Sequence, residues 1–380
     1  MVAANPRRDQ SVSARLAHLV PAVVVPLLAI VLAGCSSVSP APAPGRSQSA
    51  ADASGAPAAS SAPVAGGAPV ASSPATTASC RTAGTSAAVS VTSAKTLKHA
   101  LAHPKPGEEI VLAPGTYEGH FTISQSGTST SPLTLCGSRA AVLDGGDISH
   151  GYTLYLDHAS WWRIEGFSVE GGQKGVVADG SDHDLIDGLY VHSIGDEGIH
   201  LRSFSSYDTV THCLVRDTGL NVQFFGEGIY VGSANKNWCR YSHCRPDASN
   251  DDTIEDNNIA DTTAENIDIK EGTTGGQIIG NSFNGTGMVA SAATAWVNVK
   301  GNDWTITGNT GVHSIKDGFQ VHQVYPGWGI GNVFRGNKAE VDGPGYGFFV
   351  QNKRLQTIVS CDNAVTGADR GFSTIACTPA

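Results

Sequence analysis

Gly228-Ile-Tyr-Val-Gly232 and Asn266-Ile-Asp-Ile-Lys270 alternate apolar residues with polar or small ones, and this pattern decides the fold. Alternation with a period of two is typical of a strand with one buried face. Segment starts lie 22 to 38 residues apart, which is the spacing of a structural repeat. Five further segments align without gaps: Gly175-Val-Val-Ala-Asp179, Gly198-Ile-His-Leu-Arg202, Trp296-Val-Asn-Val-Lys300, Gly318-Phe-Gln-Val-His322 and Gly347-Phe-Phe-Val-Gln351.

A second apolar series follows after a turn and carries asparagine in one column. The column contains Asn257, Asn281, Asn309 and Asn337, each three residues after an Ile or Phe. Asn side chains stacked at strand spacing hydrogen-bond to those above and below. The pattern therefore predicts strand, turn, strand, turn in each repeat. Such a repeat buries its apolar face only by stacking on the next one.

The segment before the repeats also has a recognisable order. It runs through Thr96-Leu-Lys-His-Ala-Leu101, Lys105-Pro-Gly107, Ile110-Val-Leu112, Pro114-Gly-Thr-Tyr117 and Ser131-Pro-Leu-Thr-Leu-Cys136. With the repeats, it resembles the right-handed parallel β-helix of the pectate-lyase-like superfamily. This segment is similar to the start of the chondroitinase B and alginate lyase group. The resemblance implies an all-β solenoid of roughly nine to eleven rungs, closed by a short N-terminal capping helix.

The composition excludes several classes of protein. A net charge of −10 disfavours broad nucleic-acid binding, which needs a basic footprint. Hydrophobic residues make up 40% of the chain, which is enough for a core. The 45 glycines follow no three-residue period, and sustained heptads are absent, so collagen and coiled coils are excluded.

Residues 1–35 have the pattern of a secretion signal. An apolar run follows three arginines and ends in Leu32-Ala33-Gly34-Cys35, which resembles a bacterial lipobox. The resemblance implies a diacylated Cys35 and an extracytoplasmic protein anchored by lipid to the bacterial cell membrane. An uncleaved membrane helix is the alternative, but Pro21 and Pro26 interrupt the run.

The next stretch, residues 36–79, consists mainly of Ala, Pro, Ser and Gly. Such a composition buries too little apolar surface to fold, so we expect a disordered tether. The β-helix domain is then expected over residues 80–380.

The seven cysteines after Cys35 fit a secreted compartment. Cys80 can pair with Cys136, Cys239 with Cys244, and Cys361 with Cys377. Cys213 falls in the apolar column and is expected to be a buried free thiol. A zinc site at Cys239, His243 and Cys244 is the alternative for the second pair.

Residues between the apolar positions share the outward face of the first strand series. Because successive strands lie about 4.8 Å apart, the five middle segments should form one patch. Lys270 and Lys300 would be neighbours, as would Glu227 and Glu265, and like charges opposite one another are unfavourable. The pattern therefore indicates that a counter-charge, a metal or a substrate offsets this repulsion. The alternative is an ordinary solvated sheet face.

Three long insertions wall the same region, at residues 218–226, 235–252 and 285–295. Loops on a rigid scaffold are where binding residues concentrate. A groove across stacked strands suits an extended polymer, so we expect the protein to bind a polysaccharide. We also expect it to be a monomer and to bind no nucleic acid.

Our first hypothesis is a polysaccharide lyase that cleaves a uronate-containing polymer by β-elimination. This reaction needs a neutralised carboxylate, a base for the C5 proton and a proton source for the leaving O4. Lys270 is the preferred base, because a neighbouring Lys300 would lower its pKa. Further catalytic candidates, for carboxylate binding or leaving-group assistance, are Lys300, Arg202, His200 and His322.

Carboxylates beside this patch suggest a metal. Glu227, Glu265 and Asp268 offer the several oxygen ligands that Ca²⁺ takes. The substrate-binding candidates are Tyr230, Asn298, Gln320, Asp317 and Trp296. Trp296 is outward by alternation and would offer a flat surface to a sugar ring, whereas packing against the preceding loop is the alternative.

Two other functions remain open. A glycoside hydrolase of the same fold needs two carboxylates flanking the scissile bond. The candidates for this pair are Glu197, Glu227, Glu265, Asp268 and Asp317. A non-catalytic, glycan-binding or structural envelope lipoprotein would use the same groove.

Overall fold

A coil of short parallel strands makes up the computed structural model, which describes residue 80 and residues 88–379. The strands form three sheets of eleven, ten and ten strands, which we call A, B and C. The prediction of a parallel β-helix with about ten rungs is confirmed. The predicted signal, the tether and Cys35 lie outside the described residues. Among residues 88–379, no helix has the length and apolar character needed to cross a membrane.

Each rung contributes one strand to each sheet, in the order A, B, C. Sheet A contains Ala88–Val91, Glu109–Leu112, Leu133–Gly137, Trp162–Glu165, Leu185–Asp187, Thr209–Thr211, Thr253–Glu255, Gln277–Ile279, Thr305–Thr307, Val333–Arg335 and Ile358–Val359. Sheet B contains Gly115–Glu118, Ala141–Asp144, Ser168–Glu170, Tyr190–His192, Leu214–Val215, Asn258–Ala260, Ser282–Asn284, Thr310–Val312, Lys338–Gly343 and Ala364–Ala368. Sheet C contains Phe121–Ile123, Tyr152–Asp157, Lys174–Asp179, Ile199–Arg202, Ile229–Val231, Ile267–Ile269, Ala295–Val299, Asp317–Val321, Tyr346–Val350 and Gly371–Ser373.

The apolar middles of the repeat segments point into the coil, as the alternation predicts. Ile229, Ile267 and Phe319 are fully buried and belong to one core that runs along the whole stack. The alignment of the segments is also the register of sheet C, in which Ile229 pairs with Ile267 and Ile267 with Val297. Side chains between these positions therefore share the outer face.

The predicted capping helix is α1, Ala94–Ala102. Ser93 and Thr96 form a capping box, in which each side chain accepts a hydrogen bond from the other residue's backbone N–H. This arrangement satisfies donors that the first helical turn leaves free. Leu97, Ala100 and Leu101 are buried, so the helix covers the open end of the core.

Other helices are short and lie in loops. They are α2, Trp238–Tyr241, and the 3₁₀ turns Gln223–Phe225, Asn235–Asn237 and Lys353–Leu355.

The predicted asparagine column is a hydrogen-bonded ladder. The Asn257 amide donates to Asn281 Oδ1 at 3.0 Å, and the Asn281 amide donates to Asn309 Oδ1 at 3.0 Å. The ladder continues through Asn337 to Asn363. Each amide also donates to a backbone carbonyl, so these buried groups are satisfied and lock the rungs in register.

A second column, at the turn between sheets C and A, is built from aspartates. Trp162, Asp184 and Asp208 donate backbone N–H groups to Oδ1 of Asp184, Asp208 and Asp252 respectively, at 2.7 to 2.9 Å. The second carboxyl oxygen of each aspartate is buried and has no hydrogen-bond partner among the described residues. Burial raises the pKa of all three carboxyl groups well above the ordinary value. This column therefore favours protonated side chains.

The three predicted disulfides are present. They link Cys80 with Cys136, Cys239 with Cys244, and Cys361 with Cys377. The second link replaces the zinc alternative, since both sulfurs are bonded to each other. Cys213 is the predicted buried free thiol, and its backbone N–H donates to Asn257 at the start of the asparagine ladder.

Candidate active site

The outer face of sheet C brings most of the predicted site residues together. His200 pairs with Tyr230, Tyr230 with Asp268, and Asp268 with Asn298 on successive strands. Lys270 and Lys300 each come directly after a strand of sheet C. Their backbone N–H groups donate to the carbonyl oxygens of Val231 and Ile269 respectively. The predicted patch is therefore contiguous.

Asp268 lies between the two lysines. Lys270 Nζ donates to its Oδ2 and Lys300 Nζ donates to its Oδ1, both at 2.5 Å. Burial alone would raise the pKa of Asp268, but the two ammonium groups hold it below the ordinary value. The repulsion expected between neighbouring lysines is thus compensated by a shared, ionised carboxylate.

The expected direction of the Lys270 pKa is wrong. Burial lowers the pKa of Lys270, but the negative charge of Asp268 outweighs burial and raises it above the ordinary value. Strand spacing predicts Lys300 as the direct neighbour of Lys270, whereas the carboxylate of Asp268 lies between the two ammonium groups.

Tyr230 lies beside Lys270, with Lys270 Nζ 4.7 Å from the centre of its ring. On the other side, the His200 ring meets it edge to face at 4.3 Å. Burial raises the pKa of Tyr230 well above the ordinary value, so the phenol keeps its proton. No described residue hydrogen-bonds to its hydroxyl group, which leaves this proton available for transfer.

His200 is enclosed and neutral. Its Nε2 lies 2.9 Å from the Gly232 carbonyl oxygen and therefore carries the hydrogen. Burial, and then the charge of Lys174, lowers the pKa of His200 well below the ordinary value. Its Nδ1 is buried without a hydrogen bond, 3.5 Å from Glu197.

Three carboxylates converge beside Lys270. One oxygen from each of Glu227, Glu265 and Asp268 lies within 4.8 Å of the other two. Glu227 Oε2 is buried, and no residue that the structure describes forms a hydrogen bond with it. Burial raises the pKa of Glu227 and of Glu265, helped by neighbouring Glu197 and Asp268 respectively. Alternation left the direction of Glu227 and Glu265 open, and both turn toward the predicted metal site.

A hydrogen-bonded chain extends from this cluster to His322. The Asn298 amide donates to Glu265 Oε1 at 3.1 Å, and Asn298 Oδ1 lies 2.9 Å from His322 Nδ1. Burial, followed by the positive charge of Lys300, lowers the pKa of His322 to about 4. His322 is only half-buried, so this chain connects the cluster with the surface.

The prediction for Trp296 is wrong. Its side chain is fully buried in the core, with its ring 5.8 Å from that of Phe319 and its indole N–H donating to the Val312 carbonyl at 3.1 Å. The space is provided by Gly311 and Gly318, where a Cβ would lie within 2.8 Å of the indole. The strand departs from alternation at this first position of the repeat segment. Glycine at this position in five of the other six segments was the available signal of a crowded interior corner.

The side chains of Asp317 and Gln320 also form contacts within the protein and are not exposed to solvent. Asp317 is fully buried and accepts hydrogen bonds from the Tyr346 backbone N–H at 2.7 Å and the Gln320 amide at 2.6 Å. Gln320 also bonds to Thr294 on the preceding loop. The two side chains fasten a turn, which corrects their prediction as substrate contacts.

Arg202 is likewise occupied. Its guanidinium donates to both oxygens of Asp179, at 2.5 and 3.0 Å, and to the Tyr152 hydroxyl at 3.0 Å. The Tyr241 ring covers it at 4.1 Å. Because Arg202 is 1% exposed, it closes one end of the patch and is not free to bind a substrate carboxylate, as had been predicted.

Two loops close one side of the patch. They follow the strands Ile229–Val231 and Asp317–Val321, and they meet where Trp238 contacts Tyr325 edge to face at 5.2 Å. In sheet C, two further strands lie between these two, and they are the strands that precede Lys270 and Lys300. Sequence reasoning placed the first loop here but missed Tyr241 and Tyr325. The spacing of Trp238 and Tyr241, three residues apart, was a usable signal for a helical turn with one aromatic face.

Comparison with known proteins defines the class of this fold. A family model described as "Pel9A-like, right handed beta helix region" matches residues 75–252. The crystal structure of alginate lyase from Paenibacillus sp. str. FPU-7 is 35% identical, covering 77% of this chain and 99% of that chain with a TM-score of 0.71. The chain belongs to the right-handed parallel β-helix family that contains this Paenibacillus protein.

More distant relatives share the fold. Pectate lyase L of Dickeya chrysanthemi is 26% identical over 188 residues, which is 44% of this chain and 43% of the relative. The chain therefore matches less than half the length of this curated relative. The structure of pectate lyase Pel9A is 17% identical, with a TM-score of 0.51, over 74% of this chain and 75% of that chain.

Proposed function

We propose that the protein is a polysaccharide lyase that cleaves a uronate-containing polymer by β-elimination. The observation that carries the proposal is the group formed by Lys270, Lys300 and Asp268 with the phenol of Tyr230 beside it. It provides cations for a carboxylate and two groups that can move protons. The names of the relatives, alginate lyase and pectate lyase, support the same reaction class.

Each requirement of the reaction has a residue. Lys300 faces the substrate carboxylate and offsets its charge. Lys270, once deprotonated, takes the C5 proton, and the C5–H electron pair forms the C4=C5 double bond. The bond from C4 to O4 breaks as this double bond forms, and the Tyr230 hydroxyl gives its proton to O4. General acid–base groups of this kind contribute about 10²–10⁴-fold each.

We also propose that Glu227, Glu265 and Asp268 hold Ca²⁺. The three oxygens are close enough to share one ion, and the unpartnered Glu227 Oε2 fits a ligand that supplies positive charge. A bound cation would help to neutralise the substrate carboxylate. Addition of Ca²⁺ should raise the melting temperature, and Glu227→Gln should remove this rise. An equal rise in both proteins would place the ion elsewhere.

The test of the lyase proposal is incubation with a panel of uronate polymers while recording the ultraviolet absorbance of unsaturated ends. Lys270→Ala and Tyr230→Phe should each lower the rate by about 10²-fold or more. Lys270→Arg should be as inactive as the alanine variant, because a guanidinium keeps its proton. Lys338→Ala, an exposed lysine on sheet B, is the matched control and should retain full activity. No absorbance with any polymer would contradict the proposal.

One observation favours a hydrolase as the second candidate. The pKa of Glu227 is raised by burial, whereas the lysines lower that of Asp268, and their carboxyl oxygens lie within 4.8 Å. A protonated acid near an ionised carboxylate is the pairing that hydrolysis needs. New reducing ends without ultraviolet absorbance would identify this reaction.

We propose from the sequence that Cys35 carries a lipid anchor outside the cytoplasm. Cys35→Ser should release the protein from membranes. A variant that stays bound after a carbonate wash would contradict the proposal.

A further inference from the structure

We propose that Glu265 and Asn298 fix His322 as a neutral hydrogen-bond acceptor that reads a free hydroxyl group of the polymer. The inference rests on the proposed function and deepens it. It assigns a specificity role to His322, and it makes Glu265 and Asn298 positioning residues for His322.

The direction of the hydrogen bonds sets the tautomer of His322. The Asn298 amide nitrogen donates to Glu265 Oε1, and Asn298 Oδ1 therefore faces His322 Nδ1. Because a carbonyl oxygen only accepts, His322 Nδ1 must carry the hydrogen. The lone pair then lies on Nε2, which forms no hydrogen bond with any described residue.

The charges around His322 keep it neutral. Lys300 and Lys316 oppose a second proton, while Asp268 and Asp317 favour one. Burial lowers the pKa of His322 most, the two lysines add to this effect, and the pKa is about 4. Asp268 and Asp317 are themselves occupied by Lys270, Lys300 and Gln320. At neutral pH, His322 therefore presents a lone pair rather than a positive charge.

The position of His322 indicates what it contacts. Lys270, Lys300 and His322 follow successive strands of sheet C, as the backbone hydrogen bonds to Val231, Ile269 and Val299 show. A polymer whose carboxylate lies at Lys300 continues over His322 along the stack. His322 remains half-exposed, whereas Asp268 and Asn298 are buried. It is therefore accessible to a sugar next to the one that reacts.

A neutral acceptor selects among sugar groups. An O–H group donates to the lone pair, whereas a carboxylate oxygen is repelled and an O-acetyl group has no hydrogen to donate. The site should thus favour a uronate polymer with an unmodified hydroxyl beside the reacting unit. This differs from the sequence hypothesis, in which His322 binds the carboxylate or assists the leaving group.

The tautomer is tested without substrate by ¹⁵N nuclear magnetic resonance of the imidazole at neutral pH. His322→Gln assigns the signal by removing it. We expect the Nδ1–H form in the native protein and a mixture of tautomers in Asn298→Ala. A native Nε2–H form would overturn the proposal, because it would require the opposite orientation of Asn298.

The specificity is tested with one polymer in O-acetylated and deacetylated forms. The native protein should prefer the deacetylated form by about tenfold, the effect of one lost hydrogen bond. His322→Ala should lose this preference mainly through KM, and Lys338→Ala should keep it. An unchanged preference in His322→Ala overturns the inference while leaving the lyase proposal intact.

Binding separates the two proposals if no polymer is cleaved. Oligomers of both forms are titrated into Lys270→Ala and into Lys270→Ala/His322→Ala. A preference that disappears with His322 supports the hydroxyl contact even if the lyase proposal fails. The same preference in both variants overturns the hydroxyl contact.

Discussion

Lys270 carries its proton in the resting protein, and this has a kinetic consequence. Burial would lower its pKa, but Asp268 and its neighbours raise it. If the deprotonated amine takes the C5 proton, kcat/KM should increase with pH into the alkaline range, since this parameter reports the free enzyme. A pH profile on a cleaved polymer measures the effect. A rate that falls in the alkaline range, together with an active Lys270→Arg, would instead make Lys270 a carboxylate-binding cation.

Trp296 contributes stability rather than substrate binding. Replacing a fully buried Trp with Ala costs about 3–5 kcal/mol, because it removes contacts and leaves a cavity. Chemical denaturation of Trp296→Ala should show this loss, whereas Trp328→Ala, in a partly exposed loop, should change the free energy of unfolding much less. If Trp296→Ala had unchanged stability and bound the polymer more weakly, the result would support the outward orientation that alternation predicts.

The residues that sequence placed correctly are those governed by alternation alone. Tyr230, Asp268 and Asn298 face outward because the middle of each strand keeps a strict period of two. Trp296 and Asp317 lie where a strand begins, and there the chain bends out of the pleat. Their directions depend on which neighbours leave space, and that is a tertiary property.

Among the elements, the aspartate column differs from the asparagine ladder in one respect. Asparagine amides donate to the next rung, while the unpartnered oxygens of Asp184, Asp208 and Asp252 have nothing to accept from. Protonation of its carboxyl groups therefore stabilises the column. Asp182 and Asp251 add negative charge beside it.

This difference gives a pH-dependent stability. The folded-state pKa of Asp208 is raised, so its contribution is complete below the unfolded value of about 4 and is lost as pH rises through the folded value. Asp208→Asn should raise the free energy of unfolding at pH 8 by about 1–3 kcal/mol, because the amide can donate as in the ladder. The gain should shrink toward acidic pH.

Denaturation curves across this pH range test the prediction. Asp369→Asn, on the exposed surface, is the control and should show no gain. Equal stability of Asp208→Asn and the native protein at alkaline pH would show that the column is satisfied in its ionised form.

Elements were predictable to different degrees. The Asn column follows from a local pattern that repeats along the chain. The loop contact between Trp238 and Tyr325 joins residues from rungs that are not adjacent in sequence. No periodic pattern encodes such a contact, so the side of the groove that it closes could not be inferred.

At the scale of the whole molecule, each rung depends on its neighbours, and the end rungs have only one. The Cys361–Cys377 disulfide holds the C-terminal end. Replacing both cysteines with Ser should increase hydrogen exchange over Ala364–Ser373 and leave exchange near Lys270 unchanged, because stability in a solenoid is largely a nearest-neighbour sum. Faster exchange along the entire stack would show instead that the coil opens as a single cooperative unit.

The ladder through Asn337 and Asn363 also implies that the molecule can grow by duplication. Every rung there offers its neighbour the same amide, carbonyl and apolar edge. A second copy of residues 333–357, inserted directly after the first, would find matching partners on both sides and lengthen the stack by about 4.8 Å. Segments of this length are thus exchangeable, and the length of the outer face can change without altering the residues around Asp268.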